Sequence, residues 1–338
     1  MKKINFKIIA GFFVFIITFL ILKNLNLIKN QVTITKVISE DNKKIIFQGK
    51  LENETIKIEY QKKDAIFIPK VGNRVLVEKM GEKYFIADFY RLDKLFILFL
   101  IFIFIVIIVI NKESIGSLLS LFFSFLIIFG SILNNLINQT DPVITVLLSM
   151  IFLIPLTFYT SHGLNKKTTI AVFGSLISVV FALILSLIFV KKSFITGTTA
   201  EETGFLTVIT HKNFDFQGLL IASIIIGIFG SIDDMTISQV SMVEKIISAN
   251  PKLPAKEIYQ KAIAVGKDHA NSIINTLILV YTSASLPLLL LFSVSNKNFL
   301  EVLNYEIISV EIIRILIATI CIIITIPVTT YLAVKNLR

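Results

Sequence analysis

The chain of 338 residues is 55% hydrophobic, has a mean hydropathy of +0.82 and carries a formal net charge of +10. Seven or eight apolar runs near membrane-spanning length exclude a soluble globular protein and point to a polytopic membrane protein. The lysines are scattered among those runs, so the positive charge reads as cytoplasmic loops against a lipid bilayer and not as a nucleic-acid surface.

The first predicted span, 8–23, follows the basic start MKKINFK. The segment ILKNLNLIKN after it offers no small-residue cleavage site, so residues 1–29 are expected to stay as an N-terminal membrane anchor. Residues 30–91 then alternate in the strand period: VTITKVI, KKIIFQGKL, ETIKIEY, AIFIPKV, RVLVEK and KYFIADFY, separated by turn-like SEDN, ENET, VGN and MGE. Six short strands predict a small, partly closed β-barrel-like domain outside the cell. It holds no His or Cys and only scattered carboxylates, so a spacer or partner-docking role is expected.

Residues 92–338 read as a seven-helix membrane domain with spans at 94–111, 115–134, 143–160, 168–190, 217–247, 263–292 and 308–334, for about eight transmembrane helices in all. MKKINFK and VKNLR, with the loops NKES, SHGLNKK and the lysine-rich segment from Lys245 to Lys267, place both termini in the cytoplasm of a cell membrane. The loop NLINQTDP, without Lys or Arg, falls outside.

Span six contains GSIDDMTISQVSMVEKI after a long apolar entry. An aspartate at mid-bilayer costs about 2.5 kcal/mol or more. Asp234, Ser238, Ser241 and Lys245 share one helical face, while Asp233 projects about 100° away toward Thr236 and Val240. On span seven Asp268, Asn271, Ser272, Asn275 and Thr282 form a second polar stripe. The two stripes are expected to face each other, with Asn275 near Asp234. Gly227 and Gly230 are spaced to let a neighbouring helix approach. Two adjacent carboxylates in a low dielectric cannot both ionise easily, which suits Asp233 and Asp234 to proton exchange. Ser238, Ser241 and Asn271 serve equally well as interhelical packing. The connection SANPKLPAKEIYQKAI, with Pro254 at a helix start and Ile258, Ala262 and Val265 apolar, predicts an amphipathic entry along the membrane surface.

His162 and His211 are expected on opposite sides of the membrane, which argues against a shared metal; His269 beside Asp268 has the position to assist protonation. Glu201 and Glu202 lie in an outer loop, and the single Cys321 sits in an apolar run as a small hydrophobe. No cofactor is implied.

The block GIFGSIDDMTIS followed by GKDHANSIINTLILVYTSASLPLLLLF resembles the YibE/F family of bacterial membrane proteins, over roughly residues 95–335. The matching features are the glycine-rich entry with Asp234, then Gly266, Asp268, Asn275, Thr276, Leu277, Tyr281 and the SLPLLL ending. TSHGLNKKT and TGTTAEE fit the family's earlier loops. The resemblance implies a multi-pass fold, helix packing at Gly266 and action alone, as a homo-oligomer, or with a homologous membrane partner; it implies no particular reaction. Asp233 and His269 stand where the family usually carries apolar residues. More remotely, the acidic helix and its basic connection are similar to the proton-carrying helix of resistance-nodulation-division exporters and Sec accessory proteins. The outer domain here is smaller, there are two more spans than in one exporter half, and Arg314 is the one basic candidate.

The leading functional expectation is a proton- or ion-coupled permease or exporter. Asp233 and Asp234 would form the coupling site, continued by Asp268, Asn271 and Asn275 and supported by Thr236, Ser238, Ser241 and Tyr281. A non-catalytic envelope scaffold is the alternative. An intramembrane aspartyl protease using Asp234 and Asp268 ranks third, because GSID lacks the second glycine of the usual Gly-x-Gly-Asp pattern.

Overall fold

The computed structural model describes residues 30–51, 54–62, 67–110, 114–199, 201–210, 212–295 and 297–338. The expected anchor at 8–23 and His211 lie outside the described residues. The chain divides into two units, Met1–Ser114 and Ile115–Arg338.

In the first unit, strands β1 (Gln31–Glu40), β2 (Lys44–Leu51), β3 (Glu54–Gln61), β4 (Arg74–Met80) and β5 (Lys83–Phe89) close a barrel in the order β1-β2-β3-β5-β4. All pairs are antiparallel except β3 with β5. Period-two alternation sends Val32, Ile34, Ile45, Phe47, Ile56, Ile58, Val75 and Val77 inward, and these side chains fill the interior. Gly49 is needed for closure: a Cβ there would stand 3.0 Å from Ile58 Cδ1 and 3.1 Å from the Thr33 carbonyl. The expected sixth strand, AIFIPKV, does not form over its described residues. Pro69 has no N–H to give a ladder, Gly72 turns the chain at φ +89, and Phe67 is 73% exposed. Tyr60 Oη donates to the Phe67 carbonyl at 2.7 Å and holds this segment instead. Helix α1 (Leu92–Ile110) follows, and Arg74 pairs with Asp93 in its first turn at 3.0 Å.

The second unit is helical. Helix α2 (Ser114–Leu126) runs through a π-helical stretch, Ile127–Ile132, into α3 (Leu133–Ile137). Then come α4 (Pro142–His162), α5 (Lys166–Lys192), α6 (Glu201–Thr210), α7 (Phe216–Ala249), α8 (Ala255–Ala284), α9 (Leu286–Val294), α10 (Phe299–Leu303) and α11 (Glu306–Leu337). Side-chain oxygens of Asp141, Asn165 and Asp215 accept from the backbone N–H of Ile144, Thr168 and Gly218 and cap α4, α5 and α7. Gly163, at φ +77, ends α4.

Five helical stretches among the described residues are long and apolar enough to cross a membrane: Ile115–Ile137, Pro142–His162, Lys166–Lys192, Phe216–Ala249 and Glu306–Leu337. The pair Ala255–Ala284 and Leu286–Val294 makes a sixth if taken as one span, bent by 63°. The chain is a multi-pass membrane protein. The bend falls at Ser285, just before Pro287, where the sequence reading expected a straight span.

Helices α5, α7 and α11 pack against one another, with α4 against α5 and α7, and α8 against α11 and α7. The seam among the first three is lined by small and hydroxyl residues. Ser175 Oγ and Thr236 Oγ1 are 2.9 Å apart, Thr325 donates to Ser178 at 2.7 Å, and Gly174 leaves room for Thr329. Such residues let helix backbones approach where lipid supplies no hydrophobic drive. The expected surface-lying entry to span seven is absent. Helix α8 is continuous from Ala255, and its Ile258, Ala262, Gly266 and Ala270 are buried against the bundle. With apolar positions four residues apart on one face, packing wins over lying flat.

Candidate intramembrane acid–histidine site

Helix α7 presents two unlike faces. Ile224, Ile225, Ile228, Ile232, Met235, Thr236, Gln239 and Val243 are buried in the bundle. Ser223, Gly227, Gly230 and Asp234, spaced by four, three and four residues, are exposed. Asp233 stands half-buried between the two faces, and its carboxylate makes no hydrogen bond or ion pair among the described residues. Its carbonyl accepts from Thr236 Oγ1 at 3.0 Å, which ties the acid's backbone to the Ser175 contact on α5.

Asp234 lies within electrostatic reach of His269 on α8 and His162 at the end of α4, and its charge acts on Asp233. Side chains from three helices thus act on the Asp234 charge. His162 was not readable as a member from sequence, because the α4–α7 packing that brings it in is tertiary.

Pro142 of α4 sits beside Gly218 of α7, where a Cβ would be 3.3 Å from Pro142 Cδ. From that level, Asp234 lies about 24 Å along α7 and His162 about 30 Å along α4 at 1.5 Å per residue. The pair therefore stands nearer the level where α4 ends than the level where it begins.

The second polar stripe is not part of this site. Asp268, Asn271, Asn275 and Thr282 are exposed on the face of α8 opposite the buried Ile258, Ala262, Gly266 and Ala270. The expected meeting of Asn275 with Asp234 does not occur, because the small residues of α8 pack closer to α7 and α11 than asparagines can. Ser241 Oγ donates to the Ile237 carbonyl at 2.6 Å, within its own helix, and Ser238 is half-buried on the same face. Thr236 belongs to the buried seam rather than to an open polar face.

The glycines divide as well. A Cβ at Gly227 would be 3.1 Å from Tyr281 Oη, so this glycine leaves room for the tip of a tyrosine on α8. Gly230 has open space beside it, against the packing role expected of it. Tyr281 is half-buried with the Arg314 guanidinium 5.7 Å from its ring centroid, and Arg314 pairs with Glu311 at 3.6 Å.

Gln239 escaped the sequence reading. It is 2% exposed, and its Nε2 donates to the Ala262 carbonyl at 2.8 Å and to Thr330 Oγ1 at 2.7 Å, joining α7, α8 and α11. The one signal for it was a glutamine three residues past Thr236, on the apolar side of α7. Among the described residues, no three His, Cys, Asp or Glu side chains are placed to hold a metal ion.

The chain matches no curated protein and no solved structure. Residues 98–338 match the model of the YibE/F-like proteins, which takes in the whole helical unit with the acid pair, His162 and His269. The chain is a member of the YibE/F-like family.

Proposed function

We propose that this protein is a proton- or ion-coupled permease or exporter of the cell membrane, with Asp233 and Asp234 as its coupling site. One observation carries the reading: Asp233 is half-buried with no hydrogen-bond or ion-pair partner among the described residues, beside an Asp234 within electrostatic reach of His269 and His162. An acid held by a cation or by backbone N–H groups stays ionised, whereas an unpaired acid in a membrane helix exchanges its proton with each change of surroundings. Protonation would relieve the repulsion within the pair and let α7 and α8 shift against each other. The histidines would pass the proton between the pair and the aqueous edge.

The topology proposed with it has eight spans. They are the anchor at 8–23, α1, the α2–α3 stretch, α4, α5, α7, the bent α8–α9 pair and α11. Both termini are cytoplasmic and the barrel is extracytoplasmic, as the distribution of Lys and Arg favours. The test is infrared spectroscopy of the protein in liposomes during a pH titration, alongside proton uptake. A protonated-carboxyl band should change with pH and vanish in Asp233→Asn/Asp234→Asn. No band, with unchanged uptake in the double variant, would remove the coupling site.

A scaffold role keeps one supporting observation, the closed barrel of residues 31–89, which is a ready docking module. It would prevail if deleting residues 30–91 abolished function while the double Asn variant did nothing. An aspartyl protease is less well supported, since Asp268 lies on the face of α8 turned from the bundle.

A further inference from the structure

The outward face of α8 carries Asp268, Asn271, Asn275, Ile278 and Thr282, all exposed. Successive members are three, four, three and four residues apart, the spacing of a heptad seam. Neither Asn271 nor Asn275 makes a side-chain hydrogen bond among the described residues, and Asp268 has no ion pair. Asn275 lies about 10 Å along the helix from Asp268, and Thr282 about 21 Å, so the seam runs well into the spanning part. Hydrocarbon offers an exposed amide nothing to bond, so such a face needs a cover.

The geometry points to a second copy of this chain as that cover, with α8 pairing to its twin about a two-fold axis along the membrane normal. A two-fold axis sets each seam residue against itself. Asparagine is self-complementary in that position, because its amide both donates and accepts. Asparagine within a heptad seam also favours two parallel strands in one register. Charge agrees at the other end. Lys267 is exposed and immediately precedes Asp268. In a parallel pair the residue before such a seam position flanks the partner's seam residue. Lys267 of one copy then lies beside Asp268 of the other and offsets the repulsion between the two aspartates. Ile278 and Leu279, 42% and 69% exposed, supply apolar contact between Asn275 and Thr282. The pairing does not rest on the proton-coupling reading.

The experiment uses the full chain in native membranes with Cys321, its one cysteine, replaced by alanine. Single cysteines go to Asn271, Asn275 and Thr282, and control cysteines to Ile274 and Leu277 on the half-buried side of α8. Oxidation should trap a species of twice the monomer mass at the three seam positions and little at the controls. Asn271→Leu/Asn275→Leu should lower trapping through Thr282→Cys about tenfold, as expected for losing interhelical hydrogen bonds. Co-purification of two differently tagged copies should fall in parallel. Unchanged thermal unfolding in detergent checks that this variant still folds. Equal trapping at seam and control positions overturns the pairing. So does a cysteine at Asn275 that links within one chain to residues 8–23. Rapid reaction of that cysteine with an aqueous maleimide, without dimer, overturns it too and makes the face wet.

Discussion

Gly266 and Gln239 meet where α8 crosses α7: a Cβ at residue 266 would stand 2.6 Å from Gln239 Oε1 and 2.8 Å from Ile326 Cγ2. Ile326 belongs to a buried helix face and Gln239 is held by two hydrogen bonds, so neither yields freely. Gly266→Ala should therefore destabilise the bundle by about 1–3 kcal/mol. Gly230→Ala, which meets open space, should be neutral or stabilising by up to about 1 kcal/mol through helix propensity. Thermal unfolding in one detergent compares the two. Equal losses would contradict this packing.

The acid–histidine grouping predicts a crosslinking pattern. Cysteines at Asp234 and His269 should be joined within one chain by a short bifunctional thiol reagent in the Cys321→Ala background. Cysteines at Asp234 and Asn275 should not, because Asn275 is on the far side of α8. A strong Asp234–Asn275 link would restore a polar core shared by both stripes.

Asn is nearly isosteric with Asp but cannot exchange a proton. Asp234→Asn should keep membrane insertion and abolish any proton-dependent transport. Ser241→Ala should change little, since that hydroxyl bonds only to its own helix. A silent Asp234→Asn with an active Ser241 would reverse the assignment.

Orientation is tested with impermeant maleimide on intact cells. A cysteine at Lys57, exposed on the barrel, should react, and one at Lys256, exposed at the start of α8, should react only after permeabilisation. The opposite pattern would invert the proposed topology.

On the barrel, the hydrogen bond from Lys83 holds the Glu59 carboxyl below its ordinary range. A lowered folded-state value means that the pair's contribution is present above the unfolded carboxyl range and is lost as pH falls through the folded value. Lys83→Met should thus lower barrel stability slightly at neutral pH and change it little in acid, which flattens the fall on acidification. Both groups are at the surface, so the effect is small. Hydrogen exchange of β3 and β5 against pH gives the measurement.

Local chemistry wrote much of this protein legibly into its sequence. Long apolar runs had to become spans because backbone groups in lipid must bond within their own helix, and Asp141, Asn165 and Asp215 marked helix starts by the caps they form. Strand alternation in residues 30–91 likewise announced five of the barrel's strands, whose alternate apolar residues fill its interior. What the sequence did not decide was which face of α8 turns inward. Its asparagines and its small residues define two faces of one helix, and a rule that sends polar groups inward favours the asparagines. Tertiary packing favoured the other face, because Ala262, Gly266 and Ala270 let α8 approach α11 and Gln239 closely, and close approach is what holds helices together in lipid. That choice sets His269 within electrostatic reach of Asp234 and leaves Asn275 outside, while the packing of α4 on α7 brings in His162 from some seventy positions earlier in the chain.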